Sequence, residues 1–196
     1  MKSKRQQIRG QVFTTTDLQG KDFTGIEFVG CRFADQSFRF VHFTDCVLRA
    51  CDFSNAIMEI TSFTDCAFPD SKMSFINFSD VTFQNCDFTQ TVLENCLFDK
   101  NPQLPQMQKV DLRSCHFEQA QLKQSVWRYC NLQGVSFMGA DLEQASFERC
   151  LLQKTKFKQA KLKGVGLIDS KIEQTVLDLD GFLQLGYNQG FRLTEE

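Results

Sequence analysis

The residue types with the greatest chemical potential in this chain are its nine cysteines and two histidines. Thiols and imidazoles can ligate metals, form disulfides, or act as a nucleophile with its base. Every cysteine, however, lies two residues before a Phe or Leu: Cys31, Cys46, Cys51, Cys66, Cys86, Cys96, Cys115, Cys130 and Cys150. One position shared by all nine indicates a single kind of structural site. We therefore expect buried, reduced thiols and no metal.

No other set of residues in the sequence predicts catalysis. His42 and His116 each come directly before a Phe, and neither pairs with a nucleophile or a carboxylate dyad. The sequence contains no glycine-rich phosphate-binding loop. We therefore expect a non-enzymatic protein with no cofactor.

A five-residue period positions these side chains. From Phe13 to Phe98 every fifth residue is large and apolar, over 18 consecutive positions. The frame then shifts and continues for 14 more positions, from Leu112 through Ile172 to Leu177. This period fits neither a helix nor a strand, because successive side chains would point in changing directions. A chain that turns a corner every five residues can instead direct one side chain per side to a central axis.

A second period gives the number of sides. The tetrapeptide FTDC at residues 43–46 recurs at residues 63–66, and FQNC follows at residues 83–86. A spacing of 20 residues corresponds to four sides per coil, so the 32 sides make 8 coils. At about 4.8 Å per coil, the rod would be roughly 38 Å long.

Three segments carry a resemblance to a known family: ADLEQ at residues 140–144, CDFSN at residues 51–55 and CDFTQ at residues 86–90. Over roughly residues 11–177 the chain resembles a pentapeptide-repeat protein. The resemblance implies an all-β fold, a right-handed quadrilateral parallel β-helix.

The predicted organisation has five parts: an N-terminal tail (1–10), a first repeat segment (11–98), a loop (99–108), a second repeat segment (109–177) and a C-terminal helical cap (178–196). The loop contains Asn101, Pro102, Gln103, Leu104 and Pro105. Its two prolines cannot join a hydrogen-bonded ladder. It is either a tolerated surface loop or a recognition loop that contacts a partner.

The C-terminal segment leaves the five-residue frame. We expect Asp180 to cap a short helix that ends at Gly186 or Gly190. The helix should plug the last coil, and it could also join two copies of the chain. The residues for this cap or dimer contact are Leu179, Phe182, Leu183, Leu185 and Phe191.

Charge is uneven along the chain, although the net charge is only −2. Residues 11–98 carry 12 acidic and 5 basic side chains, whereas residues 107–177 carry 7 acidic and 11 basic ones. The candidate acidic face consists of Asp17, Asp22, Glu27, Asp35, Asp45, Asp52, Asp65, Asp80 and Asp87. These carboxylates are either solvated groups that aid solubility, or a surface that enters a basic groove normally filled by nucleic acid.

Three aromatic residues, Phe40, Phe75 and Tyr129, fall in outward positions of the five-residue frame. Phe40 and Phe75 are either exposed anchors for a partner or covers for a coil edge. No apolar run reaches the roughly 18 to 20 residues that span a bilayer. Residues 1–12 lack the apolar core of a secretory signal. We expect a cytoplasmic protein with no membrane partner.

The chain is similar to the quinolone-resistance and topoisomerase-poison self-protection branch of the pentapeptide-repeat family. The parallels are the long array, its single interruption, and the sequence LDLDGF at residues 177–182 before an apolar helix. The resemblance implies a DNA mimic that dimerises through its C-terminal end and binds DNA gyrase or topoisomerase IV, with no direct nucleic-acid binding. It would protect that enzyme from quinolones or natural gyrase poisons. The alternative is a general protein-protein interaction scaffold with no topoisomerase partner.

Overall fold

The computed structural model of the protein describes residues 5–100 and 110–194. They form a four-sided parallel β-solenoid of about eight coils with a short C-terminal helix, as predicted. No helix within the described residues has the length and apolar character to span a membrane.

The strands are short because the chain turns after every side. In chain order the elements are β1 (Gln6–Arg9), α1 (Thr15–Leu18), β2 (Asp22–Thr24), β3 (Ile26–Val29), β4 (Ser37–Arg39), β5 (His42–Thr44), β6 (Val47–Arg49), β7 (Ile57–Glu59), β8 (Thr61–Thr64), β9 (Val81–Gln84), β10 (Leu97–Phe98), β11 (Val110–Asp111), β12 (Val126–Arg128), β13 (Cys130–Asn131), β14 (Ser146–Glu148), β15 (Gly166–Ile168) and α2 (Leu179–Asn188).

We call the four sides faces A, B, C and D, in the order in which the chain visits them. Face A contains β1, β3 and β6, and face C contains β4, β7, β10, β12, β14 and β15. Face D contains β2, β5, β8, β9, β11 and β13. Face B is built of single-residue parallel bridges such as Val12↔Arg32 and Arg32↔Asp52.

Register shows where the array is interrupted. In the N-terminal half, residues pair with partners 20 positions away, as in Phe43↔Phe63. Across the interruption the offset becomes 29, as in Leu97↔Val126. The chain therefore has nine more residues between Phe98 and Leu112 than the regular repeat requires. The predicted loop residues 101–105 lie outside the described residues.

The central side chains stack along the axis at the spacing of the coils. The ring of Phe63 lies 4.9 Å from that of Phe43 and 5.5 Å from that of Phe83, with interplanar angles of 9° and 13°. Almost all of the predicted central residues are buried or half-buried. The prediction was wrong for Ile172, which is 53% exposed because it lies in the last coil, where no further coil covers it.

The second inward position, two residues before the central one, holds either a small apolar residue, such as Ala120 or Val135, or a hydrogen-bond donor. The Cys66 thiol donates to the Phe43 carbonyl of the preceding coil at 3.5 Å, and the Ser71 hydroxyl donates to the Leu48 carbonyl at 2.5 Å. All nine cysteines are buried and free, as predicted. Burial raises the pKa of the Cys51 thiol to about 12, so that thiol keeps its proton.

Most corners of the coils lie in the left-handed backbone region, where Gly, Asn and Asp are favoured. The corner residue comes two positions after the central one. Asp35, Asp45 and Asp65 occupy such corners, with φ of 62°, 51° and 54°. The backbone therefore accounts for part of the aspartate content that the sequence analysis treated as surface charge.

The N-terminal end is more ordered than predicted. The interpretation of residues 1–10 as a tail was wrong for β1, which pairs with β3 through Ile8↔Phe28. Ile8 lies five residues before Phe13 and therefore continues the period. The helix α1 replaces one side of the first coil, and the Thr14 N–H donates to the Asp17 carboxylate at 2.8 Å in a capping box.

The C-terminal helix covers the last coil, but the residues that make the contact differ from those predicted. Its N-cap is Asp178, not Asp180, because the Asp178 carboxylate accepts from the Gly181 N–H at 2.9 Å and from the Gln159 N–H at 2.5 Å. The Gln184 side chain accepts from the Leu162 N–H at 2.8 Å. These bonds occupy backbone groups that a further coil would otherwise pair.

Asn188 completes this edge. Its Nδ2 donates to the Leu162 carbonyl at 2.8 Å, and its Oδ1 accepts from the Gly164 N–H at 3.0 Å. The helix ends at this residue, and Gly190, at φ of 87°, follows it.

Candidate partner-binding surfaces

The candidate acidic residues share one half of the rod but not one face. Four of them lie on the faces themselves: Asp22 on face D, Glu27 and Asp87 on face A, and Asp52 on face B. Four more lie at corners: Asp45 and Asp65 between faces D and A, Asp35 between faces B and C, and Asp80 between faces C and D. Asp17 lies in α1. The structure therefore surrounds the N-terminal half with carboxylates.

The corner between faces D and A brings two of these carboxylates together. Asp45 and Asp65 lie one coil apart, and the Asn85 amide donates to Asp65 at 3.0 Å. Asp45 forms an ion pair with Arg5. A neutral amide leaves the charge of Asp65 in place, whereas the Arg5 guanidinium offsets that of Asp45.

Three of the candidate carboxylates have local structural roles. Asp17 caps α1, and the hydrogen bonds from Thr14 lower the pKa of its carboxyl. Asp52 accepts from the Ser54 N–H and Asp87 accepts from the Thr89 N–H, each at 2.9 Å. Such aspartates stabilise turns because the carboxylate accepts a hydrogen bond from the backbone N–H two residues further along the chain. The spacing Asp-x-Ser or Asp-x-Thr was the signal available in the sequence.

The C-terminal half presents lysines instead. Lys154, Lys156, Lys158 and Lys163 are exposed, while Lys161 forms an ion pair with Asp141 at 2.9 Å. The change of sign along the rod predicted from the sequence is therefore present on the surface. A negatively charged surface is confined to the N-terminal half.

The residues predicted to form the cap or dimer contact divide into two groups. Leu185 is half-buried and packs against the core, and Leu183 is half-buried. Leu179, Phe182 and Phe191 are exposed. The sequence analysis missed the inner contact of the helix, which includes Gly181; a Cβ there would lie 3.3 Å from the Leu162 side chain.

Exposed apolar side chains also occur in the N-terminal half. Phe40 and Phe75 are exposed, as is Tyr129 further along the rod. Ile57 and Ile60 are exposed beside them, and the sequence analysis missed both, although both stand in outward positions of the five-residue frame.

The described residues offer no group of three or more His, Cys, Asp or Glu side chains that could hold a metal ion. His42 lies on face D, where its Nδ1 is 2.7 Å from the Ser62 hydroxyl.

Comparison with known families matches residues 106–178 to a model described as "Pentapeptide repeat region". Residues 26–65 and 76–101 match a model described as "Pentapeptide repeats (8 copies)". No curated protein gave a significant match.

Among solved structures, two trypsin-treated variants of QnrB1, described as a plasmid-mediated fluoroquinolone resistance protein, align along the rod. One has a TM-score of 0.62 at 13% identity, over 98% of this chain and 100% of that chain. The other has a TM-score of 0.61 at 15% identity, over 97% and 98%. HetL, described as involved in heterocyst differentiation regulation in a Nostoc cyanobacterium, aligns at 0.32 and 15% identity, over 87% and 86%. At these identities the likeness to QnrB1 shows a shared fold.

Proposed function

Because this chain belongs to the pentapeptide-repeat family, we propose that it is a non-enzymatic protein that binds a type II topoisomerase, either DNA gyrase or topoisomerase IV. It protects that enzyme from inhibitors such as quinolones or natural gyrase poisons. It acts in the cytoplasm, where its free thiols stay reduced. The observation that carries the proposal is the acidic surface of one half of a rod.

The charge density of that half supports an electrostatic likeness to DNA. With Arg5 and Arg9, which lie at the first coil, the described residues 5–98 carry 12 acidic and 7 basic side chains, a net charge of −5. Their coils extend about 23 Å along the axis. This is one negative charge per about 4.6 Å, against one per about 1.7 Å in duplex DNA, so the N-terminal half has somewhat over a third of the linear charge of the nucleic acid it would replace.

The likeness to QnrB1 adds to this argument at the level of shape. A protein described as conferring fluoroquinolone resistance has the same rod over its whole length. The fold alone is compatible with many partners, so the acidic half is what favours a DNA-binding enzyme as the partner.

We further propose that the protein is a homodimer joined at its C-terminal end. Leu179, Phe182 and Phe191 expose apolar surface there, and Ile172 is exposed in the last coil. Burying that surface against a second copy would remove it from water. Light scattering should give twice the monomer mass, and Phe182→Ser should shift the protein toward the monomer. A wild-type monomer at micromolar concentration would contradict the proposal.

The alternative function is a general interaction scaffold with no topoisomerase partner. The spread of carboxylates around all four faces and the lysine-rich C-terminal half favour it, because neither feature matches a uniform polyanion. Direct binding measurements distinguish the two functions.

The test is the affinity of purified gyrase and topoisomerase IV for the protein at low and at physiological salt. The combined variant Asp35→Asn, Asp45→Asn, Asp65→Asn should bind at least tenfold more weakly and with less dependence on salt. Asn suits the left-handed corner backbone, so the variant should fold.

A matched control lies in the C-terminal half. Asp169→Asn alters a corner aspartate with φ of 49°, outside the acidic half, and should leave the affinity unchanged. Failure of the wild-type protein to bind either enzyme would contradict the proposed function and leave the scaffold alternative.

A further inference from the structure

One side of the acidic half exposes large apolar side chains. The strands β4 and β7 pair in parallel on face C, with Ser37 opposite Ile57. Phe40 and Ile60 follow these strands at the corner between faces C and D, where the Phe40 N–H donates to the Glu59 carbonyl at 3.1 Å. Their side chains therefore lie one coil apart, about 4.8 Å.

The opposite corner of the same face carries Phe75. It belongs to the same corner column as Asp35 and Asn55, and Ile57 follows Asn55 by two residues onto face C. The exposed fractions are 46% for Phe40, 59% for Ile57, 55% for Ile60 and 61% for Phe75. We call these four residues the face C patch.

The patch is confined to one side of the rod. Within the acidic half, residues 11–98, the exposed large apolar side chains are these four and Val12, which lies on face B in the first coil. If the repeat exposed apolar side chains without preference, such side chains would occur on all four faces. A group of exposed apolar side chains on one side of a protein is typical of an interaction surface.

Backbone geometry makes three of these residues unfavourable for folding. Phe40, Ile60 and Phe75 have φ of 56°, 48° and 61°, in the left-handed region that disfavours β-branched and aromatic residues. Most left-handed corners elsewhere carry Gly, Asn, Asp or Gln, and the others carry Ala50, Tyr129, Arg149 and Lys154. Exposure and backbone strain both oppose these side chains, so their presence is not explained by stability.

Charge around the patch indicates the chemistry of what covers it. Asp35 lies at its edge and accepts from the Asn55 amide at 3.2 Å, which leaves the carboxylate charged. The Arg39 guanidinium lies 3.6 Å from Glu59 and 5.2 Å from the ring of Phe40, so its charge is offset within the face. An apolar surface inside an acidic half matches a segment with apolar side chains flanked by basic ones.

We propose that the face C patch is the docking surface for the topoisomerase, through a surface segment of the enzyme that presents apolar side chains flanked by Lys or Arg. This inference rests on the proposed function and deepens it. The carboxylates steer the encounter, and the patch supplies the apolar contact that slows dissociation.

The experiment replaces the three strained corner residues by the residue that suits their backbone. The combined variant Phe40→Asn, Ile60→Asn, Phe75→Asn should melt a few degrees higher than the wild type, since it relieves strain. Its affinity for purified gyrase or topoisomerase IV should fall at least tenfold. A purely structural role for the three side chains would give a lower melting temperature instead.

The matched control is Ala50→Asn, Gln90→Asn. These residues occupy corners with φ of 50° and 60° between faces A and B, in the same half of the rod. The control should keep the wild-type affinity.

The outcomes separate the two proposals. Equal enzyme affinity of the wild type and the triple corner variant overturns the docking surface and leaves the proposed function standing. Absence of binding by the wild type overturns both. Loss of a wild-type oligomer in the triple variant, with unchanged enzyme affinity, would assign the patch to a second copy of the chain and would also overturn the docking proposal.

Discussion

At the scale of residues, the rod is stabilised by two inward-facing side chains on each side of each coil. The central ring fills the axis, and the residue two positions earlier fits beside it and, where it can, donates to a carbonyl of the preceding coil. Thr61, Ser71 and Cys66 all make that bond, to Phe38, Leu48 and Phe43 respectively. Cysteine, serine and threonine therefore serve as equivalent donors at this position, which elsewhere holds apolar residues without a donor, such as Ala120 and Val135.

Removal of one central ring should leave a cavity. Phe63 is fully buried between Phe43 and Phe83. We expect Phe63→Ala to lower the free energy of unfolding by about 3–5 kcal/mol. Denaturant unfolding measures this, with Phe63→Leu as the control, because Leu48 and Leu93 fill equivalent positions. A loss below about 1 kcal/mol for Phe63→Ala would contradict the packing described.

Removal of one donor should also be costly. The buried Ser71 hydroxyl donates to the Leu48 carbonyl and accepts from the Cys51 N–H at 2.9 Å. Ser71→Ala leaves both groups unpaired and should lower the free energy of unfolding by about 1–3 kcal/mol. Ser71→Thr keeps the hydroxyl, as in Thr91 one coil away, and should cost less. Equal effects of the two changes in denaturant unfolding would show that packing alone matters.

At the scale of elements, the helix α2 closes the last coil largely through polar contacts. Asp178, Gln184 and Asn188 hydrogen-bond to backbone groups of the coil beneath, and Leu185 supplies an apolar contact. A cap of this kind satisfies the ladder edge and leaves Leu179 and Phe182 of the helix exposed.

This cap should weaken in acid. The N–H groups of Gly181 and Gln159 hold the pKa of the Asp178 carboxyl below its ordinary value of 3.8. The ionised cap therefore stabilises the folded state above that value, and the contribution is lost as pH falls through the lower, folded-state pKa. Asp178→Ala should melt earlier than the wild type at pH 7, and the difference should shrink below pH 3.8. A difference independent of pH would contradict the assigned role.

The five-residue period was sufficient to predict the solenoid and the buried cysteines, because one buried position recurs on every side of the coil. The C-terminal helix was predicted instead from the departure of residues 178–196 from that period. Other features depend on contacts that the period does not contain. Gln184 and Asn188 bind backbone exposed only by the end of the array. The exposure of Ile172 likewise arises because no coil follows. The placement of the acidic residues on four faces required the register.

For the whole molecule, the structure combines two halves of opposite charge on one continuous core. The offset of 29 residues between Asp87 and His116 shows that the parallel ladder continues across the insertion on face A, as it does on faces B and C. On face D, β9 and β11 belong to separate sheets. The rigid rod thereby holds the carboxylates of the N-terminal half, the face C patch and the exposed C-terminal helix at fixed separations, a geometry suited to binding a large partner.

Gyrase supercoiling of relaxed plasmid in the presence of a fluoroquinolone is the most direct measurement of the proposed role. The wild-type protein should restore supercoiled product in a concentration-dependent way, while the Asp35→Asn, Asp45→Asn, Asp65→Asn variant should require at least tenfold more protein. If the wild type restored no supercoiling at any concentration and with neither type II enzyme, the protein would not be a topoisomerase protector.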